Sequence, residues 1–272
     1  VAQTGNPVRQ GMFIVQKKGA HEFLKLEEGT PIIFILGGSQ GAQVINNVVL
    51  DALPQLVEKY QVIHQTGENN FKSTASTAGV ILKGNRYEGR YHPFPYLNLL
   101  SMKMSAGIAD LIISRAGSTI FEIAAWGIPS IIVPITDSNG DHQRSNAFAY
   151  ARTGACLVIE ENNLAANVLI SDIDRIMGNR EERERMVVGA RSFARPDAAQ
   201  KIGRPGRNPP AVPLLKSSGG KVSPVARSAR AITSSPGPAI NKVRPSLANI
   251  VGTSARTARS FNVPASTCHS ET

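Results

Sequence analysis

Short apolar runs alternate along the chain with stretches whose apolar residues recur every three or four positions. Pro31–Leu36 (PIIFIL) is almost continuously apolar, as a strand covered on both faces of a parallel sheet has to be. It runs into Gly37-Gly38-Ser39-Gln40-Gly41-Ala42, and then into a helical pattern with Ile45, Val48, Val49, Ala52, Leu53 and Leu56 on one side. Gln61–Gln65 predicts a second strand that ends at Thr66-Gly67, with His64 in its middle as a core or edge residue. Asn69–Gly79 is polar and reads as a loop or a weak helix. Tyr87–Pro95 predicts a short strand turning at Pro93 and Pro95, and Leu97–Ile108 a helix apolar on one side.

The same alternation continues beyond Ile108. Leu111–Ile113 predicts a buried strand, followed by the small-residue turn Ser114-Arg115-Ala116-Gly117-Ser118. Thr119–Trp126 has helical spacing, with Ile120, Ile123 and Ala124 on one face and Gly127 placed to end it. Pro129 breaks the pattern and Ile131–Val133 predicts the next strand. Asp141 is a suitable N-cap for a helix His142–Arg152 whose Ala147, Ala149, Tyr150 and Ala151 turn inward. Gly154 ends that helix, Ala155–Ile159 predicts a last strand, and Val168–Met177 and Arg180–Ala194 predict closing helices. Strand followed by helix throughout implies an α/β fold, a Rossmann-like parallel sheet with helices on both faces.

Charge divides the chain. The 272 residues carry a formal net charge of +10, with 30 Lys and Arg against 20 Asp and Glu. From Gly203 onward there are ten basic residues and one acid, a surplus of nine, which leaves 20 basic against 19 acidic residues in 1–202. The body is electrically ordinary, so the overall charge gives no reason to expect a nucleic-acid partner. Residues 203–272 also hold nine of the 17 prolines and show neither helical nor strand period. We therefore expect an α/β domain over 1–202 and a disordered basic Pro/Ser/Arg-rich tail over 203–272. The abrupt change of texture suggests a shifted reading frame or a gene-calling artefact, with an RNA- or membrane-binding arm as the functional alternative. Two cysteines, Cys156 and Cys268, lie far apart without CxxC spacing, so neither a disulfide framework nor a zinc site is expected. No apolar run reaches membrane-spanning length, so membrane contact is expected to be peripheral.

Candidate chemistry gathers in the turns. Glycines at 37, 38 and 41 allow a sharp strand-to-helix turn and close approach of the backbone to a diphosphate, with Ser39 as an added donor. The pattern is neither GxGxxG nor a P-loop, and a pure packing role is the alternative. Ser114–Thr119 offers backbone N–H groups at another helix start, where the dipole favours an anion. Glu122 stands one turn further on, suited to accept hydrogen bonds from a ribose diol, or else an exposed first-turn acid. His142 and Gln143 fall at the same sheet edge, and Gln143 can both donate and accept toward sugar hydroxyls. Arg9, behind Pro7, is free to reach a ligand or to stay solvated.

Four pieces stand in order: Asn6-Pro7-Val8-Arg9, Gly37–Ala42, Ser114–Glu122, and Asp141-His142-Gln143 with Asn146-Ala147. Together they resemble the C-terminal half of the MurG-type transferases, family 28 glycosyltransferases of peptidoglycan synthesis. The resemblance implies the C-terminal lobe of a two-lobed GT-B enzyme, which holds UDP-N-acetylglucosamine as donor. It implies inverting transfer to the undecaprenyl-linked acceptor lipid I at the cytoplasmic membrane face, without metal or cofactor. It assigns donor contacts to Arg9, Gly38, Ser39, Gln40 and Gly41, and a backbone reading of the uracil edge to Phe94 and Pro95. Gly117, Ser118, Thr119 and Glu122 hold diphosphate and ribose on this basis, and Gln143 reads the sugar. The segment Arg115–Glu122 is one residue shorter than the common family pattern, which leaves Ser118 and Thr119 as alternative phosphate donors. The family's N-terminal lobe, with the general base, has no counterpart here; no catalytic residue is assigned, and donor binding without turnover is expected. A related glycolipid-forming family 28 enzyme and a non-catalytic nucleotide-sugar module are the alternatives.

Overall fold

A computed structural model describes residue 8 and residues 10–38, 42–136 and 141–198. Six parallel strands form one sheet: β1 (Ile32–Leu36), β2 (Gln61–Gln65), β3 (Tyr91–Phe94), β4 (Leu111–Ser114), β5 (Ser130–Ile132) and β6 (Cys156–Val158), in the order β3-β2-β1-β4-β5-β6. The α/β reading and the Rossmann-like sheet hold. That order reverses between β1 and β4, and in an open α/β sheet the crevice at such a reversal, beyond the carboxyl ends of the strands, is where ligands bind.

Alternate residues of each strand feed opposite cores. Phe34, Ile63, Ile112 and Ile132 face one, which is packed by the helices α4 (Leu99–Ile108), α5 (Thr119–Trp126) and α8 (Arg180–Phe193). Ile33, Ile35, Val62, Ile113 and Ile131 face the other, packed by α2 (Gln43–Lys59) and α7 (Ala166–Gly178). Helices on both faces explain why β1 is buried at all five positions. A side-chain period of two therefore divides an unbroken apolar run between two cores.

Several boundaries differ from the pattern, each for a physical reason. Asn69–Gly79 lies within a full helix, α3 (Glu68–Ile81); only Thr74 and Ala78 are buried, so most of its surface is free to be polar. The predicted strand Tyr87–Pro95 begins as a 3-10 turn at Glu88–Arg90 before β3. Helix α4 starts two residues later than expected, because Asn98 caps it by accepting from the Ser101 N–H at 2.9 Å. The α6 helix (His142–Ala151) does start after Asp141, but Asp141 sits in the left-handed region at φ 54° and makes no side-chain cap. An N-cap works from extended backbone, which aims its oxygen at the first-turn N–H groups, and Asp141 lacks that conformation. Within α6, Ala147 and Tyr150 are buried and Ala149 is exposed. Gly127 ends α5 as expected, at φ 67°.

Residues 10–31, which carry no strong period, form a 3-10 turn at Gln10–Met12 and the five-residue α1 (Ala20–Leu24). The Trp126 indole N–H donates to the Met12 carbonyl at 2.7 Å, and Gln16 N–H donates to the Lys103 carbonyl at 3.1 Å. These bonds tie the segment across α5 and α4. The expected tail, 203–272, lies outside the described residues. No helix among the described residues is long and apolar enough to cross a membrane.

Candidate functional site

Strand register builds the site. Phe94 pairs with Gln65, Gln65 with Leu36, Leu36 with Ser114 and Ser114 with Ile132, so five strands stop in one row. The turns that follow open onto the same edge. At the reversal between β1 and β4 a cleft of about 380 Å³ is lined by Gly38, Gln65, Ser118, Thr119 and Glu122, with Val8, Leu36, Tyr96, Leu97, Leu99 and Met102 as its apolar walls. The sequence-predicted Gly38, Ser118, Thr119 and Glu122 thus meet in one place, from turns more than 70 residues apart in the chain.

The turn after β4 is held from outside the cleft. Arg115 points away from it, with Nη2 on Glu161 Oε1 at 2.6 Å and Nη1 donating to the Val133 carbonyl at 3.3 Å. The Thr136 N–H donates to Glu161 Oε2 at 3.3 Å, and Asn146 Nδ2 donates to the Ala116 carbonyl at 3.3 Å. Burial pulls the Glu161 carboxyl up, but Arg115 and Thr136 outweigh it and hold it below its usual value. The latch leaves the α5 N-terminus, at Ser118 and Thr119, facing the cleft; Gly117, just before them, is not part of its wall. Ser118 is exposed and makes no cap bond to its own helix. Backbone N–H groups at a helix start, beside two hydroxyls, are donors for an oxyanion. Glu122 stands one turn further in, an acceptor for neutral hydroxyls.

On the other side of the reversal, Gly37 N–H donates to the Gln65 carbonyl at 3.1 Å, and Gln65 Nε2 donates to the Gly38 carbonyl at 3.3 Å. Gly38 takes φ 77°, a conformation that a side chain would strain. Behind Gln65 runs a buried polar chain. Asn46 Nδ2 donates to the Thr66 carbonyl at 3.0 Å, which turns Asn46 Oδ1 toward His64 Nε2 at 3.0 Å. His64 Nε2 must then carry the proton, leaving Nδ1 to accept from Tyr91 OH at 2.9 Å. Complete burial pushes the His64 pKa down to about 3, so the ring stays neutral, as a core residue should.

Other predicted residues fall elsewhere. Arg9, Ser39, Gln40 and Gly41 lie outside the described residues, although Val8, next to Arg9, lines the cleft. Phe94 and Pro95 do not line it; the next two residues, Tyr96 and Leu97, do. The Phe94 carbonyl already accepts from the Thr66 N–H at 2.9 Å, and Pro95 has no N–H, so this pair can offer a base edge only the Pro95 carbonyl. Gln143 is at the same sheet edge but not in the cleft wall; its Oε1 accepts from the Ile135 N–H at 3.3 Å. Sequence reasoning missed Gln65, Tyr96, Met102 and the Arg115–Glu161 latch. Among the described residues no group of three or more His, Cys, Asp or Glu side chains could hold a metal ion.

A parallel six-stranded sheet with polar turns converging at its reversal is the architecture of an α/β domain with its ligand crevice at that reversal. The model of the glycosyltransferase family 28 C-terminal domain matches residues 32–202, and the chain belongs to that family. It is 32% identical over 204 residues to "UDP-N-acetylglucosamine--N-acetylmuramyl-(pentapeptide) pyrophosphoryl-undecaprenol N-acetylglucosamine transferase" of Pediococcus pentosaceus, an alignment covering 74% of this chain and 54% of that one. A protein of the same name from Limosilactobacillus reuteri is 34% identical over 212 residues, at 74% and 54% coverage. Among solved structures, MurG of Acinetobacter baumannii superposes with a TM-score of 0.56 at 28% identity, covering 70% of this chain and 53% of that one. The chain thus spans about half the length of the curated relatives it matches.

Proposed function

We infer that the cleft between β1 and β4 is the donor site of a family 28 transferase and takes a uridine diphosphate sugar, UDP-N-acetylglucosamine. The observation that carries this reading is the convergence of Gly38, Ser118, Thr119 and Glu122 on one cleft at the reversal of the sheet. The diphosphate lies between Gly38 and the α5 N-terminus at Gly117, Ser118 and Thr119, and Ser39, Gln40 and Gly41, which follow Gly38 in the chain, are assigned to it as well. Glu122 accepts the ribose hydroxyls. The base packs among Tyr96, Leu97 and Leu99, where the Pro95 carbonyl offers one acceptor. The sugar extends toward Gln143, and Arg9 reaches the donor from the chain beside Val8. Residues 1–202 carry this binding function; residues 203–272 are assigned no part in it.

The relatives are named for transfer of N-acetylglucosamine to N-acetylmuramyl-(pentapeptide) pyrophosphoryl-undecaprenol; in the reaction inferred here the muramoyl 4-hydroxyl of that acceptor, lipid I, attacks the anomeric carbon with inversion. The new C–O bond forms as the bond to UDP breaks, and the hydroxyl proton passes to a base. What these residues supply is the departure of UDP: N–H and O–H donors at the α5 N-terminus meet the charge that grows on the diphosphate. No residue described here is assigned the role of that base. The acceptor lipid places the reaction at the cytoplasmic membrane face, with peripheral contact.

Calorimetric titration of the chain with UDP tests the reading. Saturable one-site binding is expected, weakened about tenfold or more by Ser118→Ala or Thr119→Val, whichever hydroxyl meets the phosphate. No heat at millimolar UDP, or affinity indifferent to both variants and to Glu122→Ala, overturns it.

A further inference from the structure

Among the described residues lining the cleft, Gln65 is the one polar side chain that the donor-site reading does not use. It is 3% exposed, at the end of β2, within the cleft lining. Its Nε2 donates to the Gly38 carbonyl at 3.3 Å, which fixes which way the amide faces. That leaves Oε1 buried with no hydrogen-bond partner among the described residues. An orphaned buried carbonyl oxygen is costly unless something donates to it. Two features of its surroundings hold it in place: Gly37 donates to the Gln65 carbonyl, and the Asn46–His64–Tyr91 chain fixes the neighbouring residues of β2.

The geometry points to Gln65 as a residue that selects the nucleoside of the bound nucleotide, by accepting at Oε1 a hydrogen bond from one of its N–H or O–H groups. This rests on the reading of the cleft as a nucleotide-sugar site and deepens it. An amide oxygen only accepts. A diphosphate at neutral pH carries only acceptor oxygens and negative charge, so it cannot satisfy Oε1 and is repelled by it. The diphosphate is thereby kept to the α5 side, where the donors are. What lies over Gln65 has to bring a proton. Gln65 is on the β2 side of the reversal, next to the apolar walls Leu36, Leu97 and Met102, which suit the flat faces of a base. The groups that qualify are the uracil N3–H, which then goes to Gln65 in place of the Pro95 carbonyl, and a ribose hydroxyl that Glu122 does not take.

The test is a ligand-by-variant cycle on the full chain, with UDP, N3-methyl-UDP, 2′-deoxy-UDP and 3′-deoxy-UDP titrated into wild type and Gln65→Met, which keeps the volume and removes both polar atoms. Gln65→Met is expected to weaken UDP about tenfold. The analogue missing the partner group should bind wild type about tenfold more weakly than UDP, yet bind Gln65→Met as well as UDP does. Coupling to the N3-methyl analogue assigns the base as the source, and coupling to a deoxy analogue assigns the ribose. Equal losses for all four ligands in Gln65→Met, or no loss for UDP, overturn the proposal. Should Gln65→Met not fold, Gln65→Leu takes its place in the same cycle, with the same outcomes; equal affinity of wild type for all four ligands also overturns the proposal. Failure of wild type to bind UDP at all strikes instead at the donor-site reading.

Discussion

The two turns that frame the cleft are built differently. After β4, the turn is locked by a charged latch at its back: Arg115 and Glu161, whose side chains are 11% and 17% exposed, with Asn146 adding a bond to the Ala116 carbonyl. After β1, the described part of the turn is held by two neutral hydrogen bonds to Gln65 and by a glycine at positive φ. One side is fixed by side chains from α6 and the turn after β6, the other by backbone and a neighbouring strand. The β4 turn is thus anchored through charged side chains, and the described part of the β1 turn through neutral hydrogen bonds. Each way of breaking this contrast has a distinct signature.

The largest effect is expected from the latch. Glu161→Ala leaves Arg115 largely buried without its anion and should cost about 3 kcal/mol of stability, read by urea unfolding, together with most of the UDP affinity. Next comes acid. Burial lowers the His64 pKa to about 3 from 6.5, so the fold favours the neutral ring. Its contribution is complete above pH 6.5 and declines as pH falls from there toward 3. At pH 5 the loss should be about 2 kcal/mol, absent in His64→Gln, whose own baseline is lower. The latch adds to this only at lower pH: with the Glu161 carboxyl held below its ordinary value, its contribution is full near neutrality and fades on acidification below the usual carboxylate range. A smaller cost, about 1 kcal/mol, is expected for Gly38→Ala. A Cβ there meets nothing within 4 Å, so the cost comes from backbone strain alone, and thermal unfolding should show it beside a weakened response to UDP. Last comes Glu122→Gln on α5: affinity for UDP should fall, and the fall should shrink for 2′-deoxy-UDP, because the ribose is its partner.

The same contrast explains what could be read from the sequence. The sheet was legible because β1, β4 and β5 are apolar runs that end at Gly, Ser or Pro, and because α2 and α5 carry apolar stripes at helical spacing. The cleft residues on the β4 side were legible because Ser118, Thr119 and Glu122 belong to one local turn-and-helix pattern. Arg115 stands in that very turn, yet its partner Glu161 is 46 residues away, and no local pattern joins them. Gln65 was hidden for a similar reason: it reads as a strand end, and only the pairing of Leu36 with Gln65 sets it beside Gly38. Helix α3 was obscured by its polar surface, and Asp141 misled because a residue's capping ability counts only in extended backbone. Leu97 read as a helical residue, whereas the Asn98 cap leaves it before α4, in the cleft wall.

Mapping UDP onto the chain by amide NMR shifts tests the central claim most directly. The account predicts that the amides perturbed most strongly belong to Gly38, Gln65, Ser118, Thr119 and Glu122, on both sides of the β1–β4 reversal. Shifts gathered instead at the opposite edge of the sheet, around Lys17, His21 and Asp110, contradict it.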